Sequence, residues 1–462
     1  MQGGRVVDVG AVVDGARLEP VSALVLALCV LVAACDGFDN QALAFTVPAI
    51  AADWAMSRAE VASVFPRVFS AGLFGLLLGS AVFGTLADRF GRRRLLIVCT
   101  AVFGMATLTT AFAQNPLQLM LIRFIGGLGI GGVPSAAAAL VSETVPARNR
   151  QSFIAWTLIG IPLGGFLGGL VGAWCIPRFG WPSVYWIGGS ATAAVLLACI
   201  VVLPESARFL ALRPGNGARL ARLLLRIAPE GRFSRDDSYV LPAQEDRRSS
   251  VAALFRSGRA RMTLFYWLGS FVNLLTFYFV VNWTPTLFRE SGLSAGQATL
   301  STSAVNGGAV LFGLVLGAYC NRVGTRNAAA STFLLAALGL LLMSLGDGLV
   351  VPMMAGAFLA GAGAIAGASS LVMFGAESYP TALRSTGVGW SLSAGRIGSV
   401  ISPWVVGIPL GWGWHAREIL LLPLLPALAG AAALLLSRRP RPPLAVPLLP
   451  DPLPGPLPGG AA

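Results

Sequence analysis

Runs of roughly 20 apolar residues, broken by short polar stretches, recur along most of this chain. They fall near 21–47, 64–87, 95–113, 117–141, 152–175 and 183–203, and again near 263–286, 299–319, 328–346, 350–374, 386–410 and 418–436. At about 1.5 Å per helical residue, such runs reach across the ~30 Å hydrocarbon core of a bilayer. The pattern therefore predicts an all-α membrane protein with twelve transmembrane helices in two six-helix halves, 21–203 and 263–437. Residues 1–20 precede the first span. The connector 204–262 contains a basic run with leucines at helical spacing (ALRPGNGARLARLLLRIAPEGR), which predicts a small helix lying on the membrane face. Residues 438–462 are proline-rich and predict a disordered, polyproline-like tail.

Composition agrees with the pattern and narrows it. Hydrophobic residues make up 55% and charged residues 11% of the chain, against about 25% charged in ordinary soluble proteins. Too few polar groups exist to cover a water-facing surface, which excludes a soluble enzyme. The net charge is +13, and all 33 basic side chains are arginine. Their placement explains the charge. With the N-terminus inside, 26 arginines fall in inside segments and four (Arg58, Arg178, Arg289 and Arg417) in outside loops. That bias is the topology signal of a plasma-membrane protein, here a bacterial inner-membrane one with both termini cytoplasmic, and it requires no nucleic acid. The six cysteines lie scattered in apolar stretches without metal-ligand spacing. No nucleophile–base constellation and no GxxxxGK[ST] loop is present, and His415 sits alone in a loop. Neither catalysis, a metal, a cofactor nor ATP drive is expected.

The loops carry a repeat. After span 2 come Gly84, Asp88, Arg89, Gly91, Arg92, Arg93 and Arg94; after span 8 come Gly317, Asn321, Arg322, Gly324 and Arg326. Asp88 and Asn321 are 233 positions apart, while Glu143 and Glu377, and Arg150 and Arg384, are each 234 apart. Two loops sharing one offset predict two homologous halves, an arrangement suited to rocking about a central site. The first loop resembles the signature loop of the major facilitator superfamily. That resemblance implies the major facilitator fold and gating roles for Asp88, Arg89, Arg92, Arg93, Glu143, Arg150, Glu377 and Arg384, with Glu143 among the partners of Asp88 and Arg89.

Four charged residues fall inside spans: Asp36, Asp39, Arg123 and Arg396. Each costs about 2.5–3.5 kcal/mol at a helix centre on insertion scales, so they must pair or line an aqueous cavity. Asp36 and Asp39, three apart, share a helix face, and Asp39 should lie at the depth of Arg123. One arginine neutralises one carboxylate. The second is then free to carry a proton, making Asp36, Asp39 and Arg123 the candidate proton-coupling group. Arg396 has no acidic partner in its half and invites an anion, whose carboxylate its planar fork fits. Tyr278, Trp283, Trp390, Asn273 and Asn282 are the accompanying candidates for substrate contact.

Asp36-Gly37-Phe38-Asp39 with Pro48 resembles the first span of the aromatic acid:proton symporter family. Further stretches agree: Arg123 to Pro134 with its glycines, Pro204-Glu205-Ser206, Tyr278 with Asn282, Trp283 and Pro285, and Tyr379-Pro380 through Arg384 and Trp390 to Gly395-Arg396. The likeness covers about residues 20–437. It implies a monomeric importer that couples protons to a small organic acid such as hydroxybenzoate, benzoate or a phenylpropanoid. Sugar or polyol symport, drug–proton antiport and a transporter-like sensor are the alternatives left open.

Overall fold

The computed structural model describes residues 5–213, 215–241, 250–256 and 258–437, with side chains throughout except at 84, 85, 87, 88, 381 and 382. The tail 438–462, expected to be disordered, lies outside the described residues. A short strand β1 (Val6–Asp8) and helix α1 (Val9–Gly15) precede six long helices: α2 (Pro20–Asp53), α3 (Arg58–Phe90), α4 (Arg92–Thr110), α5 (Pro116–Ser142), α6 (Arg150–Phe179) and α7 (Pro182–Val202). The connector holds α8 (Ala207–Ala211), α9 (Gly217–Ile227), β2 (Ser238–Val240) and a 3-10 turn, Val251–Phe255. The second half comprises α10 (Ala260–Glu290), α11 (Ala295–Val323), α12 (Thr325–Gly346), α13 (Val350–Ser378), α14 (Thr381–Gly411), and α15 (Ala416–Leu421) with α16 (Leu424–Leu436).

Among the described residues, eleven helices are long and apolar enough to cross a membrane, Ala416–Leu436 counting as one. The twelfth expected span is α14. It is 31 residues long, but Arg396 and repeated glycine and serine make it more polar than the rest. Its packing against α10 and α3 keeps it inside the bundle. Helices also overrun the apolar runs. α2 has 34 residues, about 50 Å, and ends where Trp181 Nε1 donates to the Asp53 carboxylate at 3.0 Å. One feature departs from an all-helical chain. Val6 and Asp8 pair in parallel register with Ser238 and Val240, and Val9, Val13, Leu220, Leu224 and Ile227 close a small core beneath. The leader before the first span is thereby tied to the connector.

The internal repeat is visible in three dimensions. Gly91 (φ 97°) and Gly324 (φ 82°) both adopt left-handed backbone at the start of α4 and α12, a conformation that favours glycine. One position on, Arg92 Nε lies 3.3 Å from Glu143 Oε1 in the first half. The equivalent Thr325 Oγ1 donates to Glu377 at 2.6 Å in the second. Both halves thus tie the same two helix ends, one through an arginine and the other through a threonine.

Two apolar cores lie apart near the end of the bundle that carries the termini and connector. One joins Val25, Leu28, Leu96, Leu140 and Leu203; the other joins Met262, Tyr266, Phe333, Phe374 and Leu434. At the far end a single core runs through both halves, from Phe45, Phe65 and Tyr185 to Trp283, Phe288, Met353 and Leu410. Polar contacts reinforce this closure. Arg58 Nε meets Glu290 at 3.0 Å, and Trp404 Nε1 donates to Ser70 Oγ at 3.1 Å. Gln41 and Asn306 exchange a reciprocal pair of amide bonds at 3.0 and 2.5 Å. The halves are joined at the far end and part toward the terminal end.

Close helix approach rests on glycine. A Cβ at Gly37 would overlap the Ile161 carbonyl, whereas one at Gly389 meets nothing within 4 Å. Gly37→Ala is therefore expected to lower the melting temperature in detergent by several degrees, on the scale of about 1–3 kcal/mol for overpacking. Gly389→Ala should leave it unchanged, and thermal melts of the two variants compare them directly.

Candidate functional site

Asp39 and Arg123 meet in the first half, where α2 and α5 pass each other. Arg123 Nη2 lies 3.2 Å from Asp39 Oδ1, and Nη1 donates to the Asp39 carbonyl at 3.3 Å. α4 completes the arrangement: Thr107 Oγ1 donates to Asp39 Oδ1 at 2.6 Å, and Thr110 Oγ1 accepts from Arg123 Nη2 at 2.7 Å. The guanidinium also sits 5.5 Å from the centre of the Tyr185 ring, whose hydroxyl is 2.8 Å from Thr46 Oγ1. Both charged side chains are nearly inaccessible, at 7% and 1% exposure. Burial this deep is tolerable because each is paired and hydrogen-bonded. The glycines of α5 permit it, since a Cβ at Gly127 would overlap the Gly72 carbonyl of α3.

This pair forms the wall of a cavity of about 40 Å³ lined by Asp39, Asn40, Phe69, Gly72, Arg123 and Asn282 among others. The space holds a few waters at most. Residues from both halves meet there. Asn40 leads to a second polar group, because the buried Tyr278 of α10 is hydrogen-bonded to Asn40 and lies within electrostatic range of Arg396 and of Asp36. Four polar atoms in this region are buried without a hydrogen-bond partner: Asp36 Oδ1, Asp39 Oδ2, Arg123 Nε and Arg396 Nη1. Native proteins leave few such atoms, and polar atoms with open hydrogen-bonding capacity are available to a ligand or a proton.

The other candidate residues are distributed differently. Asn282 lines the cavity. Trp283 does not: it is fully buried in the far-end core, its ring 5.6 Å from that of Phe69. Asn273 faces α13, donating through Nδ2 to the Ala364 carbonyl at 3.0 Å. Trp390 lies six residues before Arg396, 45% exposed, and stacks on Trp267 at 5.9 Å. An aromatic on an apolar helix can face lipid, core or cavity, and periodicity does not separate these. Asn40, Thr107, Thr110 and Tyr185 belong to the site although sequence reasoning passed over them. The available signal was polarity: Asn40 and Gln41 directly follow Asp39 inside a span, and Thr107 and Thr110 lie three apart in another.

At the terminal end Glu143 is held by Arg92 and by the Ser206 hydroxyl, while the Arg89 guanidinium lies over Phe90. Arg93 donates its backbone N–H to Glu205 at 3.0 Å and its guanidinium to the Ile200 carbonyl at 2.6 Å. Arg150 pairs with Asp14, Glu377 with Thr325, and Arg384 is exposed. The side chain of Asp88 is outside the described residues. Among the described residues, these contacts of Arg92, Arg93, Glu143, Arg150 and Glu377 lie within one half or its attached segments.

A family model for the Major Facilitator Superfamily matches residues 29–294 and 266–456. The 4-hydroxybenzoate transporter PcaK of Acinetobacter baylyi is 34% identical over 433 residues, covering 92% of this chain and 93% of that protein. The gallate transporter of Pseudomonas putida is 34% identical over 441 residues, covering 94% and 96%. Among solved structures, the inward-open conformation of the xylose transporter XylE from E. coli is similar with a TM-score of 0.66 at 16% identity, covering 88% of this chain and 95% of that one. That last likeness is one of fold.

Removing one partner of a buried ion pair strands the other. Arg123→Ala is expected to destabilise the protein by about 3–5 kcal/mol, and Asp39→Asn combined with Arg123→Ala should recover most of that loss. Melting curves of the single and double variants give the coupling, and additive losses would mean the two groups do not interact.

Proposed function

We infer the activity from one premise: the chain belongs to the Major Facilitator Superfamily. It is a multi-pass membrane protein and not an enzyme. We propose that it is a proton-coupled importer of a small aromatic carboxylate of the hydroxybenzoate type. The observation that carries this reading is the buried Arg396 Nη1 without a hydrogen-bond partner, within electrostatic range of Tyr278. A guanidinium with an open donor suits a carboxylate by paired, charge-assisted hydrogen bonds, and the neighbouring phenol ring suits an aromatic plane. The names carried by relatives of 34% identity point to the same ligand class.

Proton coupling follows from charge count. Arg123 is engaged by Asp39 through side chain and backbone, so Asp36 has no comparable cation and carries the proton that crosses with the anion. Tyr278 lies within electrostatic range of both Asp36 and Arg396, which supports a link between the proton and the anion. One proton with one monoanion moves no net charge, and import is then driven by the pH difference alone. With 26 arginines on the terminal side against four on the far side, the terminal side is cytoplasmic. Joined far-end cores and parted terminal ends then correspond to a conformer closed to the outside. The cavity is too small for a ring acid, so substrate enters only as the halves move. Asp88, Arg89, Arg92, Arg93, Glu143, Arg150, Glu377 and Arg384 form the cytoplasmic gate. The contacts of Arg93, Glu143, Arg150 and Glu377 within one half support a released gate in this conformer, because ionic links between helix ends break and re-form as the halves rock.

Uptake into proteoliposomes tests this reading. Labelled 4-hydroxybenzoate should accumulate when the outside is acidic, and xylose should not; xylose accumulation without the acid would overturn the assignment. Arg396→Lys should weaken the apparent affinity about ten- to a hundredfold, because a point charge replaces a bidentate fork. Asp36→Asn should keep exchange of labelled for unlabelled acid but lose acceleration by the pH gradient. Gradient-driven accumulation by Asp36→Asn at the normal rate would remove Asp36 from the coupling step.

A further inference from the structure

The connector helix builds a second charged site, separate from the polar interior and beside the proposed cytoplasmic gate. In α9, Leu220, Leu223, Leu224 and Ile227 are buried, while Arg219, Arg222 and Arg226 repeat at three and four residues and share the opposite face. That face borders a cavity of about 590 Å³ that also takes Arg93 and Arg94 from the start of α4, and Arg213. Six arginines thus meet one carboxylate, that of Glu205. It is already occupied, accepting from the backbone N–H groups of Arg93 and Ser206 at 3.0 Å each. None of the six arginines forms an ion pair among the described residues. Arg213 instead lies 4.9 Å from the Phe209 ring centre and donates to the Arg89 carbonyl. The start of α4 adds the positive end of a helix dipole, which Glu205 meets only at the Arg93 N–H.

The rim of the cavity indicates what such a cluster meets. It is lined by Leu203 and Pro204 where α7 ends, and the last turn of α7 presents Ile200, Val201 and Val202 outward, Val201 at 73% exposure. Val98 of the adjoining α4 is likewise exposed. Basic cavity and apolar helix surface are continuous. A soluble phosphate would use only the first; a phospholipid uses both, its phosphodiester on the arginines and its acyl chains along α4 and α7.

We propose that Arg93, Arg94, Arg213, Arg219, Arg222 and Arg226 form a binding site for the headgroup of an anionic phospholipid at the terminal face of the first half. The site anchors the connector to the membrane beside the loop that joins α3 and α4.

Native mass spectrometry of the full chain released from nanodiscs of mixed phosphatidylglycerol and phosphatidylcholine tests the proposal. The wild-type protein should retain phosphatidylglycerol in preference. Arg219→Gln/Arg222→Gln/Arg226→Gln should reduce that preference on the order of a hundredfold, at roughly fivefold per arginine near an anionic surface. Arg17→Gln/Arg232→Gln/Arg235→Gln, with the same loss of charge elsewhere on that face, should keep it. Circular dichroism of both variants should match wild type, and uptake of the labelled acid reports that the transport path is intact. Equal retention of the two lipids by wild type, or equal loss of preference in both triple variants, would overturn a defined site. A thermal shift on adding inorganic pyrophosphate, with no lipid preference, would assign the cluster to a soluble phosphate and overturn the lipid reading.

Discussion

One guanidinium and two carboxylates share the polar interior of the first half, and only one carboxylate can be matched. Arg123 is committed to Asp39 through its side chain, its backbone carbonyl and the two threonines of α4. Asp36 is left with an unpartnered oxygen, in range of Tyr278 and through it of Arg396. At bilayer depth an unmatched ionised group is costly, so the arrangement is poised between two remedies: a proton on the carboxyl or a counter-ion at the guanidinium. The proposed coupling uses both together. The anion satisfies Arg396 while the proton neutralises Asp36, and neither alone leaves the interior balanced.

Much of this was legible in the chain. Apolar runs and arginine placement located the helices, and an offset of 233–234 between loops exposed the two halves. The four charges inside spans marked the polar interior because insertion cost makes any such residue informative. What failed to show was direction. Trp283, Asn273 and Trp390 sit on the same helices as Asn282, Tyr278 and Arg396, yet they point into the far-end core, toward α13 and onto Trp267. In lipid both faces of a helix are apolar, so the contrast that orients a soluble amphipathic helix is lost. Thr107 and Thr110 escaped notice for a related reason: a threonine bonding its own helix backbone is unremarkable in a span until a charge comes within reach. The tie of β1 to β2 bridges 232 residues, beyond any local pattern.

The repeat adds a constraint that neither half shows alone. Glu143 and Glu377 occupy equivalent helix ends, and each is held from the start of the preceding helix, by Arg92 of α4 in one half and Thr325 of α12 in the other. The hydroxyl brings no opposite charge to its carboxylate as the arginine does, so the two helix ties are not energetically alike. The first half also bears Glu205 and Ser206 against the same cluster, and the arginine-rich α9 beyond it. Asymmetry in the terminal-end contacts therefore coincides with asymmetry in charge: the half that holds the proposed proton site also holds the electrostatic anchors.

Closure at the far end follows from a different balance. There the halves share one apolar core, supplemented by Arg58–Glu290 at the rim and the Gln41–Asn306 amide pair deeper in. A surface ion pair contributes little, with a median of about 0–1 kcal/mol, and a neutral amide pair is similarly modest. These contacts fix register without holding the halves together strongly, and the apolar core supplies the cohesion. Gln41 lies two residues from Asp39 and five from Asp36 on one helix. A shift of α2 that accompanies a change at either carboxylate must therefore displace the amide that pairs with Asn306. Through this rigid element alone, occupancy of the polar interior and separation of the far ends are linked.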